Sequence, residues 1–182
     1  LPADAVAKEL IPHVQSLTAA IDAAVAGSPG YQAKLAAAAA HMPMTAQILT
    51  GGIVANKHLD GNVGGTAATV RAVLTAQLVD HVWLAGNALD TAVDKGGNLK
   101  DPAVKGAVAA LDANSVALAK TLGSVYPKAQ APFLASWRQH IGFFVNYTLG
   151  KATKNAAMAS KARSDLDSYR TSFGQLIHSV VP

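Results

Sequence analysis

The stretch "LTAQLVDHVWLAGNAL" (residues 74–89) carries the pattern that decides the fold class. Apolar residues and one histidine recur at the steps of three and four that place side chains on one face of an α-helix. These residues are Leu74, Leu78, His81, Val82, Ala85 and Leu89. A half-buried strand would alternate apolar and polar residues with a period of two, and this stretch shows no such alternation. The pattern therefore predicts an amphipathic helix with a histidine on its apolar face.

The same pattern occurs twice more in the chain, with a histidine at the same place in each stripe. The first copy consists of Val6, Leu10, His13, Val14, Leu17 and Ile21, and the other of Phe133, Trp137, His140, Ile141, Phe144 and Thr148. The three stripes predict three helices that each turn a histidine toward the interior.

Three intervening segments align with one another as well. They are "AHMPMTAQILTGGIV" (40–54), "LDANSVALAKTLGSV" (111–125) and "LDSYRTSFGQLIHSV" (166–180). In this frame His41 takes the place of Asp112 and Asp167. The alternation predicts an internal repeat of three antiparallel helical hairpins, each pairing an inward histidine with a polar residue on its partner helix.

Clusters of glycine and proline separate six predicted helices, over 3–26, 31–54, 66–94, 102–124, 130–150 and 155–180. Thr66 is expected to cap the third helix, and Asp101 followed by Pro102 the fourth. We therefore predict an all-α, six-helix bundle in a single domain over residues 1–182. A four-helix core with a flanking N-terminal hairpin is an alternative that the pattern does not distinguish.

Composition limits the class of protein. Hydrophobic residues make up 51% of the 182 residues and charged residues 14%, which excludes a disordered chain. A net charge of +4 without a concentrated basic stripe argues against nucleic-acid binding, and no apolar run is long enough for a transmembrane helix. The chain starts "LPADAVAKEL", without methionine. We expect an extracytoplasmic mature chain from which a signal peptide has been removed.

Several catalytic and metal sites are excluded by residue type. There is no cysteine, and Glu9 is the only glutamate, so thiolate catalysis and di-iron carboxylate sites are ruled out. No Gly-x-Ser-x-Gly nucleophile turn is present. The sequence favours a non-enzymatic binding protein, although it leaves the question of catalysis open.

Histidine and methionine supply candidate ligands for a transition metal, copper or zinc, because imidazole suits both ions and thioethers suit Cu(I). The candidate ligands are His41, Met44, His81 and His140, with Asp112 nearby and His58 as a further loop ligand. Two alternatives stay open. Pro43 favours a kinked core helix instead of a ligand site at His41, and the inward histidines can be core polar pairs of a structural or protein-interaction module.

The segments "LASWRQHIGFFVNYTLG" (134–150) and "LDANSVALAKTLGSVYP" (111–127) also carry a resemblance. They resemble uncharacterised, often secreted bacterial all-helical families in which His-centred helices alternate with helices bearing a polar Asn or Asp motif. The resemblance covers roughly residues 66–182. It implies a secreted helical bundle, but no activity, ligand or site residue.

Overall fold

The computed structural model describes residues 3–180, and most of them lie in α-helices. The helices are α1 (Ala3–Val25), α2 (Tyr31–Ala39), α3 (Met42–Lys57), α4 (Thr66–Asp94), α5 (Pro102–Gly123), α6 (Gln130–Ala152) and α7 (Ala156–Val180), with a short 3-10 turn at Pro127–Ala129 before α6. No β-strand occurs between residues 3 and 180, so the predicted all-α class is confirmed. The chain ends, residues 1–2 and 181–182, lie outside the description.

The predicted helix over 31–54 is in fact two helices. α2 ends at Ala39 and α3 begins at Met42, with Pro43 in its first turn. Proline has no N–H to donate and its ring clashes with the carbonyl four residues earlier, here that of Ala39, whereas a helix tolerates proline in its first turn. Ala40 and His41 form the turn between α2 and α3. The sequence located the disturbance but underestimated it, because the helix breaks instead of bending.

The two predicted caps had different outcomes. Asp101 caps α5, since its side chain accepts a hydrogen bond from the N–H of Ala103 at 2.8 Å. Thr66 is not a cap: Gly65 holds the N-cap position of α4 in an extended conformation, and Thr66 is the first helical residue. The correction is one residue, which is a common uncertainty at helix ends.

Helices α4 to α7 form the core of the molecule. α4 packs on α5 and α6 on α7 as successive hairpins, and α5 also packs on α6 and α2. α5 is the most enclosed helix, with Leu111 at 3% and Leu118 at 1% exposure. α1 packs on α2 and α3, so the N-terminal helices join the core mainly through α2. The arrangement is three hairpins in chain order, α1–α2, α4–α5 and α6–α7, with the first one peripheral and α3 connecting it to α4.

Small residues allow two of these close packings. A side chain at Gly106 would overlap the backbone carbonyl of Pro29, so the α1–α2 loop can rest on α5 only because residue 106 is glycine. Gly150 similarly lies against the backbone of Ala159, which brings the end of α6 onto the start of α7. The backbone contacts leave no room for a methyl group at either position.

Within residues 3–180, the helices all fall short of the combined length and apolarity that a bilayer crossing requires.

Candidate functional site

A buried polar cluster lies where α4, α5 and α6 meet. α4 contributes His81, α5 contributes Asn114 and α6 contributes His140, and these three residues are 6%, 7% and 8% exposed. Each lies on the helix face that also carries buried apolar side chains, such as Leu84 on α4 and Leu111 on α5. Buried polar side chains of this kind require hydrogen-bond partners.

Asn114 provides the partner of His81 and fixes its orientation. The Asn114 Nδ2 donates to the backbone carbonyl of Gln77 at 3.0 Å and lies 3.3 Å from the Asp80 Oδ2. Its Oδ1 therefore faces the ring and lies 3.0 Å from the His81 Nδ1. Because that oxygen can only accept, Nδ1 must carry the proton. The second ring nitrogen, Nε2, then carries a free lone pair.

The environment of Nε2 differs from that of Nδ1. Nε2 has no hydrogen-bond partner among residues 3–180, and it keeps some contact with solvent. The Trp137 Nε1 lies 3.4 Å from the His81 Nδ1, but a protonated Nδ1 cannot accept from it. That approach is a packing contact, and the two ring centroids are 5.0 Å apart.

Aromatic rings surround the two histidines. The centroids of His81 and His140 are 5.6 Å apart, and Trp137 lies 4.5 Å from His140 in an edge-on geometry. Tyr169 of α7 stacks on His140, with 5.1 Å between the ring centroids. Unlike the Nδ1 of His81, the Nδ1 of His140 has no side-chain partner within the described chain, and aromatic rings pack around this imidazole.

Burial keeps both imidazoles neutral. Desolvation, and after it the nearby His81, lower the pKa of His140 to about 4, against the opposing effect of a backbone hydrogen bond with Trp137. Desolvation also lowers the pKa of His81, against the opposing effects of Asn114 and Asp80. The same burial raises the pKa of Asp80 and raises that of Tyr169 to about 12. At neutral pH the cluster therefore holds two uncharged rings that can accept or donate hydrogen bonds.

His81, Trp137 and His140 form one end of a groove of about 400 Å³ between α4, α5 and α6. Toward the other end it is lined by apolar side chains, among them Val108 and Leu149. A second, larger groove of about 620 Å³ lies between α2, α3, α4 and α5, and Asp80 and Asn114 line it. The hydrogen-bonded Asp80–Asn114–His81 chain thus runs between the two grooves.

The predicted metal ligands are only partly brought together. His81 and His140 are neighbours, whereas Asp112 forms an exposed two-point ion pair with Arg138, with N–O distances of 2.7 and 2.8 Å. Met44 lines the second groove and is 59% exposed. Within the described residues, no group of three or more His, Cys, Asp or Glu side chains is placed to share a metal ion.

The other two histidines of interest lie elsewhere. His41 occupies the N-cap position of α3, where its side chain makes no capping bond. His58 ends that helix in a left-handed conformation with φ 52 and is exposed. The expectation that an inward histidine pairs across its hairpin is met by His81, but the partner is Asn114 instead of Asp112.

Sequence reasoning missed Asn114, Trp137 and Tyr169 as site residues. A signal for two of them was available: Asn114 and Tyr169 each stand two residues after the aspartates that were singled out, Asp112 and Asp167. On α5 the buried face runs through Leu111, Asn114 and Leu118, steps of three and four that place Asn114 inward and Asp112 outward.

Comparisons with known proteins give no relative. No protein-family model, no curated protein and no solved structure matches the chain. The resemblance to secreted bacterial helical families therefore stays a prediction.

Proposed function

We propose that this chain is a non-enzymatic binding protein whose site is the groove between α4, α5 and α6, here called the histidine groove. The observation that carries the proposal is an open apolar groove of about 400 Å³ that ends on two neutral, packed imidazoles. Ligand sites are typically concave and apolar, with a few polar groups that fix orientation. The lining favours a small apolar molecule as the ligand.

Several apolar side chains on the rim of this groove support the proposal. Val82, Val108 and Phe144 line it and are 69%, 42% and 45% exposed. A bound apolar molecule would remove this surface from water, at about 25 cal/mol for each Å² covered.

A neutral fluorescent probe, N-phenyl-1-naphthylamine, tests the site. Val108→Phe places a larger ring in the groove and should abolish the rise in probe emission. Val79→Phe is the matched control, because Val79 is a similarly exposed valine (56%) that lines neither groove. Probe binding that is equal in both variants would place the site elsewhere.

A transition metal is a second candidate ligand, and one contact favours it. His81 donates from Nδ1 to Asn114, the kind of outer-shell bond that orients a metal-binding histidine, and His140 lies beside it at 5.6 Å between centroids. In this proposal the two histidines form the nucleus of a metal site. The addition of His41, Met44 and Asp112 to them is the larger, sequence-based version of the proposal.

Thermal unfolding of chelated protein with one equivalent of Cu(I), Cu(II) or Zn(II) tests the metal. An ion that binds only the native state adds about 2.7 kcal/mol to the free energy of unfolding when its free concentration is about a hundred times the dissociation constant. Loss of the shift in His81→Ala but not in His41→Ala would indicate the two-histidine version. Loss in both would indicate the larger set. No shift with any of these ions would remove the metal and leave the apolar ligand.

The alternative class is a structural or protein-interaction module in which the histidines are core polar pairs. In that case Asn114→Ala lowers the free energy of unfolding by about 1–3 kcal/mol, because the His81 N–H loses its acceptor, and no ligand changes this value. An extracytoplasmic location is part of the leading proposal and is compatible with the absence of cysteine. Fractionation of the producing cells tests it.

A further inference from the structure

We infer that the ligand of the histidine groove is an uncharged, elongated apolar molecule that ends in a hydroxyl group, and that this hydroxyl donates a hydrogen bond to the His81 Nε2. The inference rests on the proposed function, since it names the class of molecule that the same groove would take. Three features of the groove support it: the tautomer of His81, the charge of the lining and the length of the groove.

The tautomer determines what kind of polar group is recognised. The two bonds made by the Asn114 Nδ2, to the carbonyl of Gln77 and to Asp80, prevent the amide from turning its nitrogen toward His81. His81 must therefore donate from Nδ1 and accept at Nε2. Since His81 lines the groove and its Nδ1 side is occupied by α5, Nε2 is the edge left for a ligand. A ligand group that fits this edge has to be a donor.

The charge of the lining determines that the ligand is neutral. Among the described residues that line the groove none is Lys, Arg, Asp or Glu, and the polar side chains are those of His81, Trp137, His140 and Thr148. A carboxylate or an ammonium group would lose its hydration there without an opposite charge, which is costly in an apolar site. A hydroxyl is the simplest neutral group that donates.

The length of the groove determines the shape of the ligand. Its wall on α4 extends from His81 to Val93, which at 1.5 Å per residue is about 18 Å of helix. The groove thus extends from one polar end along an apolar wall lined by residues such as Leu89 and Leu149. An alkyl or isoprenoid alcohol has this shape, with one polar end and a long apolar chain.

The probes that separate the head groups are 1-dodecanol, its methyl ether and dodecanoate, which share one chain length. Binding is read from the emission of Trp137, which lines the groove. The second of the two tryptophans, Trp83, is 75% exposed and is replaced in a Trp83→Phe background to remove its signal.

We expect 1-dodecanol to bind about tenfold more tightly than the ether, because the ether leaves the His81 lone pair without a donor. In His81→Phe the alcohol and the ether should bind equally. Equal binding of the two in the parent chain, or preference for dodecanoate, would overturn the inference while the groove remains a binding site. Failure of all three probes to bind the parent chain would overturn the proposed function itself.

A second measurement does not depend on a variant that folds. The ¹⁵N and ¹H correlations of the His81 ring in the parent protein report which nitrogen carries the proton. We expect the proton on Nδ1, and a proton on Nε2 would overturn the inference, because His81 would then offer a donor instead of an acceptor.

Discussion

The helices α1 and α4 carry the same pattern of apolar residues and one histidine, yet the fold treats them differently. On α4, His81 of the stripe and Leu84 beside it are buried at 6% and 5% exposure, although Val82 of the stripe is 69% exposed. On α1, Val14 and Ile21 of the equivalent stripe are 56% and 53% exposed, and the buried residues of that helix are two alanines. α4 packs against α2, α3, α5 and α6, while α1 packs on α2 and α3. The comparison shows that a stripe makes a helix amphipathic but that burial depends on how many helices cover it.

The histidines of the two helices repeat this difference. His81 has Asn114 as a hydrogen-bond partner, but the His13 Nδ1 is buried and has none within residues 3–180. When segment 40–54 is aligned with segment 111–125, Pro43 on α3 takes the position of Asn114. Proline has no polar side-chain atom. A site at the first hairpin would therefore lack the group that orients the histidine in the second.

The largest expected effect comes from truncating one side chain in each region. Leu111→Ala on α5 should lower the free energy of unfolding by about 2–5 kcal/mol, because it leaves a cavity in the core. Ile21→Ala on α1 should change it by no more than about 0.5 kcal/mol, since that side chain is half exposed. Urea denaturation measures both. Equal losses would mean that α1 is covered in solution by something the single chain does not provide.

Acid should destabilise the core through its histidines. The pKa of His140 is lowered in the folded protein to about 4, so below about pH 6.5 the unfolded chain binds the proton more readily than the folded one. The contribution of His140 to the free energy of unfolding is therefore fully present above about pH 6.5, and it should fall by about 2–3 kcal/mol as the pH drops to about 4. His81, with its lowered pKa, acts in the same direction, and Asp80, whose pKa is raised, opposes it at the acid end.

Urea denaturation between pH 4 and 7 tests this dependence. His140→Phe should flatten the profile, because it removes the imidazole whose pKa is lowered by burial. A parent profile that is already flat over this range would show that the histidine cluster takes up protons without cost.

The contact between the α1–α2 loop and α5 can be tested at Gly106. Gly106→Ala should destabilise the packing of the α1–α2 loop on α5 by about 1–3 kcal/mol, because the methyl group meets the carbonyl of Pro29. Hydrogen exchange should then speed up in α1 and α2 while α6 and α7 keep their protection. Gly86→Ala is the control: it lies in α4 with open space around it and should stabilise the helix by up to about 1 kcal/mol.

The smallest expected effect concerns Asp112. Its ion pair with Arg138 is about half exposed on both sides, so Asp112→Asn should change the free energy of unfolding very little, and the change should shrink in salt. The same variant should leave metal-induced stabilisation intact if the site consists of the two histidines. A larger loss of metal binding would restore Asp112 to the set of ligands.

The sequence by itself determined most of the helices, because their signals are local properties of the chain. These signals are apolar residues at every third or fourth position, breaks at glycine and proline, and a cap at Asp101. It also indicated that His81 and His140 lie inward, but the same stripes placed Val82 and Phe144 inward, and these are 69% and 45% exposed. The break at Pro43 was visible as well, though its extent was not, because whether a helix bends or ends depends on what packs around it.

Only the tertiary structure decided which side chains meet. The apolar spacing along α5 favours Asn114 over Asp112 on the buried face, and the packing of α5 against α4 sets Asn114 opposite His81 and leaves Asp112 to pair with Arg138 on the surface. The groove likewise depends on the separation of three helices that are distant in sequence. Local patterns fix the face of each helix, but the partners across that face are set by the rotation and distance of packed helices, which no single stretch of the chain encodes.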